Sequence, residues 1–166
     1  DTVNVLVMGP WAHGAWSGSG GERLGDAEFG FKTADYYRKH VEFPFFLHFL
    51  KDGPDPELPE ALVFETGANR WRRFDAWHPE ATSKTKVYLR QDGRLGFDAP
   101  EDEADASDEF ISDPAKPVPF TEEISTRMTR PYMTDDQRFA SRRPDVLVYR
   151  SEVLEDDLTL AGPITA

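Results

Sequence analysis

The 166 residues contain no cysteine, which excludes disulfides, thiolate nucleophiles and zinc–thiolate centres. No apolar run approaches the ~20 residues that a membrane-spanning helix requires, and no signal-peptide pattern is visible. Positive charge is scarce: 19 Lys and Arg stand against 31 Asp and Glu, for a net charge of −12. A surface of that sign repels phosphate backbones and anionic lipid, so neither nucleic acid nor membrane is expected as a partner. Disorder of the whole chain is excluded too, because hydrophobic residues make up 39% and aromatics 13%, enough for a core. The compartment stays unknown, since a chain without Cys suits cytoplasm and periplasm alike.

What is there begins with VNVLVM, residues 3–8, a short and nearly continuous apolar run. Such a run reads as a strand covered on both faces, as in a parallel sheet. Gly9-Pro10 ends it. The chain starts on Asp1 rather than Met and opens directly on this strand, so it reads as a piece of a longer protein. Residues 14–32 are glycine-rich and predict a long loop.

Residues 33–51 carry the clearest helix pattern. Thr33 is placed to cap its start, and Asp35 suits the positive end of the helix dipole. Tyr37, Val41, Phe45 and Phe49 fall four apart and make an apolar stripe, widened by Phe46 and Leu50. Pro44 lacks a backbone donor and should kink or split the helix near residues 38–40. Asp52-Gly53-Pro54 predicts the stop, with Gly53 in the left-handed cap.

The stretch GPDPELP, residues 53–59, separates two composition regimes. After it the apolar period is two: Leu62, Phe64 and Thr66 alternate with Val63 and Glu65. Residues 86–97 predict a β-hairpin around Asp92-Gly93. Residues 146–149 and 158–161 predict two more strands, and no second helix of similar quality follows residue 53. The expected organisation is therefore the closing strand and helix of an α/β domain over 1–53, a linker over 54–60, and an all-β sandwich or jelly roll over 61–166. Only about five strands are visible, whereas a jelly roll has ~8, so this β part also reads as incomplete. Residues 113–120 (DPAKPVPF) should be stiff and extended. The acidic run DAPEDEADASDE, residues 98–109, lacks the D-x-D-x-D-G spacing of a calcium loop and reads as a solvated face.

The chemistry centres on His13. It lies five residues past Met8, in the loop that leaves the first strand, where open α/β folds place their sites. In α/β-hydrolases the triad runs Ser, then Asp or Glu, then His, with the His on the loop after a late strand. Strand, His13 loop, then helix reproduces that order. The bland reading is an ordinary polar loop residue. Trp11 and Trp16 flank His13, as walls of a substrate pocket or as packing for the loop. Asn69 and Trp71 read as turn and interface residues, and Tyr36 and Tyr37 as core or interface. Arg142 and Arg143 read as partners of local acids. His40 and His48 are eight apart, which excludes a joint i, i+4 metal site, and His78 precedes Pro79 in a loop. No metal and no cofactor is expected.

Six segments then carry a resemblance, in this order: GPWAHG (9–14), FPFFLHFLKDG (43–53), FETGANRW (64–71), SDPAKPVPF (112–120), DQRFASRRPDVLVY (136–149) and LEDDLTLAGPI (154–164). Together they resemble a serine hydrolase group. It comprises the bacterial cocaine esterases, the α-amino acid ester hydrolases, the glutaryl-cephalosporin acylases and, more distantly, the X-Pro dipeptidyl-peptidases. The resemblance implies an α/β-hydrolase domain followed by a jelly roll, called the X-Pro dipeptidyl-peptidase C-terminal domain. It implies that His13 is the general base, and that the substrate is a small-molecule ester or amide. α-Amino acid esters and β-lactam side-chain amides are the favoured substrates, and X-Pro peptides the alternative. No G-x-S-x-G elbow is present: Ser17-Gly18-Ser19-Gly20-Gly21 lacks the first Gly and follows no strand. Serine, acid and oxyanion hole are expected upstream, the 166 residues alone are expected to be inactive, and homo-oligomerisation of a longer parent stays open. The reading from another class is a jelly-roll binding or assembly module, in which His13 has no use.

Overall fold

A computed structural model describes residues 3–100, 107–126 and 130–165. The central part of the acidic run, 101–106, lies outside the described residues. Two compact units are formed. One comprises 3–81, 130–135 and 162–165, and the other 82–100, 107–126 and 136–161.

The first unit is built on a three-stranded sheet in the order β1-β4-β5, with β1 Leu6–Met8, β4 Ala61–Glu65 and β5 Arg70–Phe74. β1 and β4 run parallel, with Leu6 opposite Ala61 and Met8 opposite Val63. β4 and β5 run antiparallel, with Phe64 opposite Trp71 and Glu65 opposite Arg70. This pairing changes the expected organisation. The strand over 61–65 was expected to open the β part, yet it pairs with β1, and the division between compact units falls after residue 81 rather than at 54–60. The burial of β4 gives the reason: Ala61, Leu62 and Phe64 are all buried, so it is a central strand covered on both faces. The loop into β5 turns on Gly67 and Asn69, both at positive φ.

The parallel pair requires a crossover, and the helical stretch over 33–51 supplies it. It is not one regular helix. α2 Thr33–Tyr37 passes into a π-helical stretch, Arg38–Glu42, and then into α3 Phe43–Lys51. The break sits where Pro44 was expected to cause it. Pro44 can give no N–H to the carbonyl four residues back, and the wider π turn takes up the defect. That turn also defeats the expected apolar stripe. An inserted residue rotates everything after it by about 100°. Val41, within the turn, is buried, whereas Phe43, Phe46, Phe49 and Leu50 after it are exposed. α3 ends on Asp52 in the left-handed conformation, with Gly53 N–H bonded to Leu47 O at 3.0 Å. Asp52, not Gly53, thus takes the cap conformation; a Cβ on Gly53 would meet Leu47.

The glycine-rich stretch is ordered by local structure. It holds the single turn α1 Ala15–Gly18 and a hairpin of β2 Arg23–Leu24 with β3 Ala27–Glu28. The hairpin leads Phe29 into the core, edge-on to Phe64 at 5.4 Å.

The second unit contains the expected hairpin, β6 Tyr88–Arg90 and β7 Arg94–Gly96, with Leu89 opposite Leu95. Arg90 faces Arg94, so the loop is the three residues Gln91–Gly93, one more than a tight Asp-Gly turn needs, with Asp92 and Gly93 both at positive φ. The two further strands are not formed. In 146–149 and 158–161 there is no strand among the described residues; only Arg150 makes a single bridge, to Arg94. Leu158 and Leu160 have suitable alternation but stand exposed without a partner strand. Asp113 folds its segment into a side-chain-capped turn, accepting from the Ala115 N–H at 2.9 Å. The segment 113–120 is therefore not extended throughout. A short helix, α4 Arg138–Ser141, buries Ala140.

Candidate functional site

β1 delivers the chain to Gly9-Pro10, and the following residues turn sharply. The Ala15 N–H bonds to Ala12 O at 3.0 Å, and Gly14 takes a φ of 72°, which leads into α1. Ala12 is buried and anchors the turn, while its neighbour His13 is exposed. His13 therefore stands beyond the carboxyl end of β1, on the loop between that strand and the helical crossover. Its ring meets Trp16 edge-on, with centroids 6.1 Å apart. Such an edge contact is a favourable aromatic geometry.

Trp11 packs among several aromatic rings, in a cluster with Tyr37 at 5.2 Å, Trp71 at 5.8 Å and Trp16 at 6.5 Å. Tyr36 stacks on Trp71 at 5.6 Å. The Trp11 indole N–H donates to Thr33 Oγ1 at 2.8 Å, and the Thr33 hydroxyl donates to Gly21 O at 2.6 Å. Thr33 is fully buried. It therefore does not cap the helix. The first helical N–H groups are met instead by Gly20 O, which accepts from Ala34 at 2.9 Å and Asp35 at 3.3 Å. One hydroxyl thus ties the His13 loop, the glycine-rich stretch and the start of α2 together.

A cleft of about 260 Å³ opens beside this cluster, lined by Val7, Met8, Gly9, Trp11, Trp16 and Tyr37. Both tryptophans that flank His13 line it, and Trp16 is also the ring in contact with the imidazole. Burial, and then the charge of Glu42, push the Tyr37 hydroxyl above its usual range.

Arg38, the first residue of the π turn, reaches back to α1. Its guanidinium donates to Trp16 O and, at 2.9 Å, to Ser19 O, while Asp35 grips its other nitrogen. Neither Thr33 nor Arg38 stands out as a site residue in the sequence. Thr33 carries the signal of a cap, and Arg38 that of a solvated helix position.

The remaining sequence candidates disperse. Asn69 sits in the β4–β5 turn and donates to Glu28 O at 3.3 Å. His40 lies against Tyr36, with ring centroids 4.8 Å apart, His48 Nδ1 meets Gly53 O at 2.9 Å, and His78 is exposed. Among the described residues no three His, Asp or Glu side chains gather where they could hold a metal ion, and no helix is long and apolar enough to cross a membrane. Arg143 pairs with Asp145 at 2.8 Å and donates to Lys116 O at 2.9 Å. Arg70 and Arg72 flank Glu65, and their hydrogen bonds hold its carboxyl below the usual range.

No protein-family model matches the chain. Cocaine esterase of Rhodococcus sp. is 27% identical over 172 aligned residues, covering 97% of this chain and 29% of that protein. Among solved structures, an α-amino acid ester hydrolase superposes with a TM-score of 0.83 at 38% identity, over 97% of this chain and 28% of that one. An aminopeptidase from a marine-sediment Thaumarchaeota archaeon gives 0.82 at 38% identity, over 93% and 26%. The chain thus spans under a third of the length of the proteins it resembles, and its fold is that of the corresponding segment of these hydrolases.

Proposed function

Taking the chain as a relative of the cocaine esterase and α-amino acid ester hydrolase group, we propose that it is the base-bearing segment of a serine hydrolase acting on α-aminoacyl esters or amides. The observation that carries this reading is the exposed His13 imidazole beyond the carboxyl end of β1, between that strand and the crossover helix.

In the proposed reaction His13 takes the proton of a serine hydroxyl as the serine oxygen attacks the acyl carbon. It then returns that proton to the departing alcohol or amine. Water repeats the cycle on the acyl-serine, releasing the acid and restoring the serine. The 166 residues hold no G-x-S-x-G run, so serine, acid and oxyanion donors are assigned to parts of the parent beyond them. One similar protein is an α-amino acid ester hydrolase and another an aminopeptidase. Their substrate classes share an acyl group bearing an α-amine, joined through an ester or an amide. In this reading Trp16 walls the acyl pocket and Trp11 packs the loop. The β-rich stretch after residue 81 is assigned to a C-terminal jelly roll. A binding or assembly module would give His13 no task.

The test is covalent labelling of the full-length protein with a fluorophosphonate, followed by peptide mapping. The expected label falls on a serine outside residues 1–166, and His13→Gln slows the labelling. A label on Ser17 or Ser19, or none at all, would overturn the reading. A panel of α-aminoacyl esters, X-Pro amides and β-lactam amides then ranks the substrates.

A further inference from the structure

The His13 imidazole has no hydrogen-bond partner among the described residues; its one ring contact is the edge of Trp16. Something must hold Trp16. α1 is a single turn with no buried residue, too short to be stable by itself. Its own capping bonds are few: Ser17 Oγ to Gly14 O at 2.9 Å and Ser19 Oγ to Ala15 O at 2.9 Å. Trp16 leans on the Trp11 ring at 6.5 Å, and the backbone of the turn is tied to the helix by Arg38, whose guanidinium spans Trp16 O and Ser19 O at the exposed carboxyl end of the turn. Asp35 fixes the same guanidinium from the helix side, and Lys32 lies 3.9 Å from Asp35 as a weaker second cation.

We propose that Arg38 is a positioning residue for His13: it clamps turn α1 against the helix, which sets the Trp16 ring and through it the direction of the imidazole. The proposal rests on His13 being the base. The arrangement needs a planar fork. Nη1 gives its two N–H groups to the two carbonyls while Nη2, held in the same plane, serves the Asp35 carboxylate, and a lysine ammonium offers no such pair of nitrogens at a fixed separation.

The test uses the full-length protein with Arg38→Ala, Arg38→Lys and, as a control, His13→Gln, assayed on an α-aminoacyl p-nitrophenyl ester. Misplacing a catalytic group by about 1 Å can lower the rate ~100-fold, so Arg38→Ala should lower kcat by ~10- to 100-fold with KM changed less than about twofold. Millimolar guanidinium should restore part of the lost kcat, and sodium at equal ionic strength should not. Arg38→Lys should fall between. If Arg38→Ala fails to fold, Arg38→Lys decides: a lowered kcat with an unchanged unfolding midpoint supports the clamp, and an unchanged kcat overturns it. A loss expressed only in KM, or one that guanidinium does not touch, also overturns it. Should His13→Gln retain full activity, the base assignment itself fails, whatever Arg38 does.

Discussion

The two units use the same kinds of residue to different effect. The first buries Ala12, Phe29, Ala34, Val41, Ala61, Leu62 and Phe64 around a three-stranded sheet and one crossover. The second, among its described residues, buries Ala140 and Thr121 and leaves Leu89, Ile111, Phe120, Val153, Leu158 and Leu160 exposed. Apolar alternation is present in both. The difference is a neighbour. β4 has a strand on each side, and each partner both satisfies its backbone and covers its side chains. In 146–161 the backbone finds one bridge, at Arg150, and the side chains find little. A strand is a property of the pair, and a periodic sequence alone does not make one.

The sharpest way to break this comparison is to cut one leucine from each side of it. Leu62 is 1% exposed at the centre of β4. Leu62→Ala should destabilise the first unit by about 2–5 kcal/mol, read from chemical denaturation. Leu160, 70% exposed, should change stability by less than ~0.5 kcal/mol on substitution by Ser. Equal effects would mean that the second unit packs in solution against something that covers it.

Thr33→Val comes next in size. It keeps the shape but removes the hydroxyl between Trp11 and Gly21. Leaving a buried donor and acceptor unpaired should cost about 1–3 kcal/mol, and the tryptophan fluorescence of the native state should shift as Trp11 loosens. Thr33→Ser should restore both, because the loss belongs to the hydroxyl.

The smallest effect belongs to Glu65. Its carboxyl is held below the usual range by Arg70 and Arg72. A lowered folded-state pKa means the stabilisation is present above the ordinary carboxylate range and is lost as pH falls through the lowered value. Glu65→Gln should therefore lower the unfolding midpoint slightly at neutral pH. The gap to the parent should close in acid, and also in high salt, because these arginines are solvent-screened.

Much of the site was legible because it rests on local signals. Gly9-Pro10 marks where β1 stops, so the loop position of His13 follows from chain order alone. Asp92-Gly93 announces its turn through the positive φ that both residues tolerate. Pro44 announces a helix defect through its missing donor. The readings that missed depend on partners distant in sequence. Nothing between residues 53 and 65 says that β4 will lie beside β1 rather than beside a later strand, and alternation looks the same in both cases. Pro44 shows that the helix must break but not that the break will be a π turn, so the rotation that exposes Phe46 and Phe49 is invisible. The hydroxyl of Thr33 has the identity and position of a cap; only the approach of Trp11 and Gly21 turns it into a buried tie. The role of Arg38 has no local signature at all, because its two carbonyl partners lie 22 and 19 residues away.

The central claim is that His13 is the proton carrier of a serine hydrolase. The most direct measurement compares kcat of the full-length protein with that of His13→Gln on an α-aminoacyl p-nitrophenyl ester, with unfolding midpoints recorded for both. The account predicts a loss of ~1,000-fold or more in kcat, as removal of a triad member produces, with KM and the midpoint little changed. A His13→Gln protein that folds normally and keeps kcat within about threefold of the parent would contradict it.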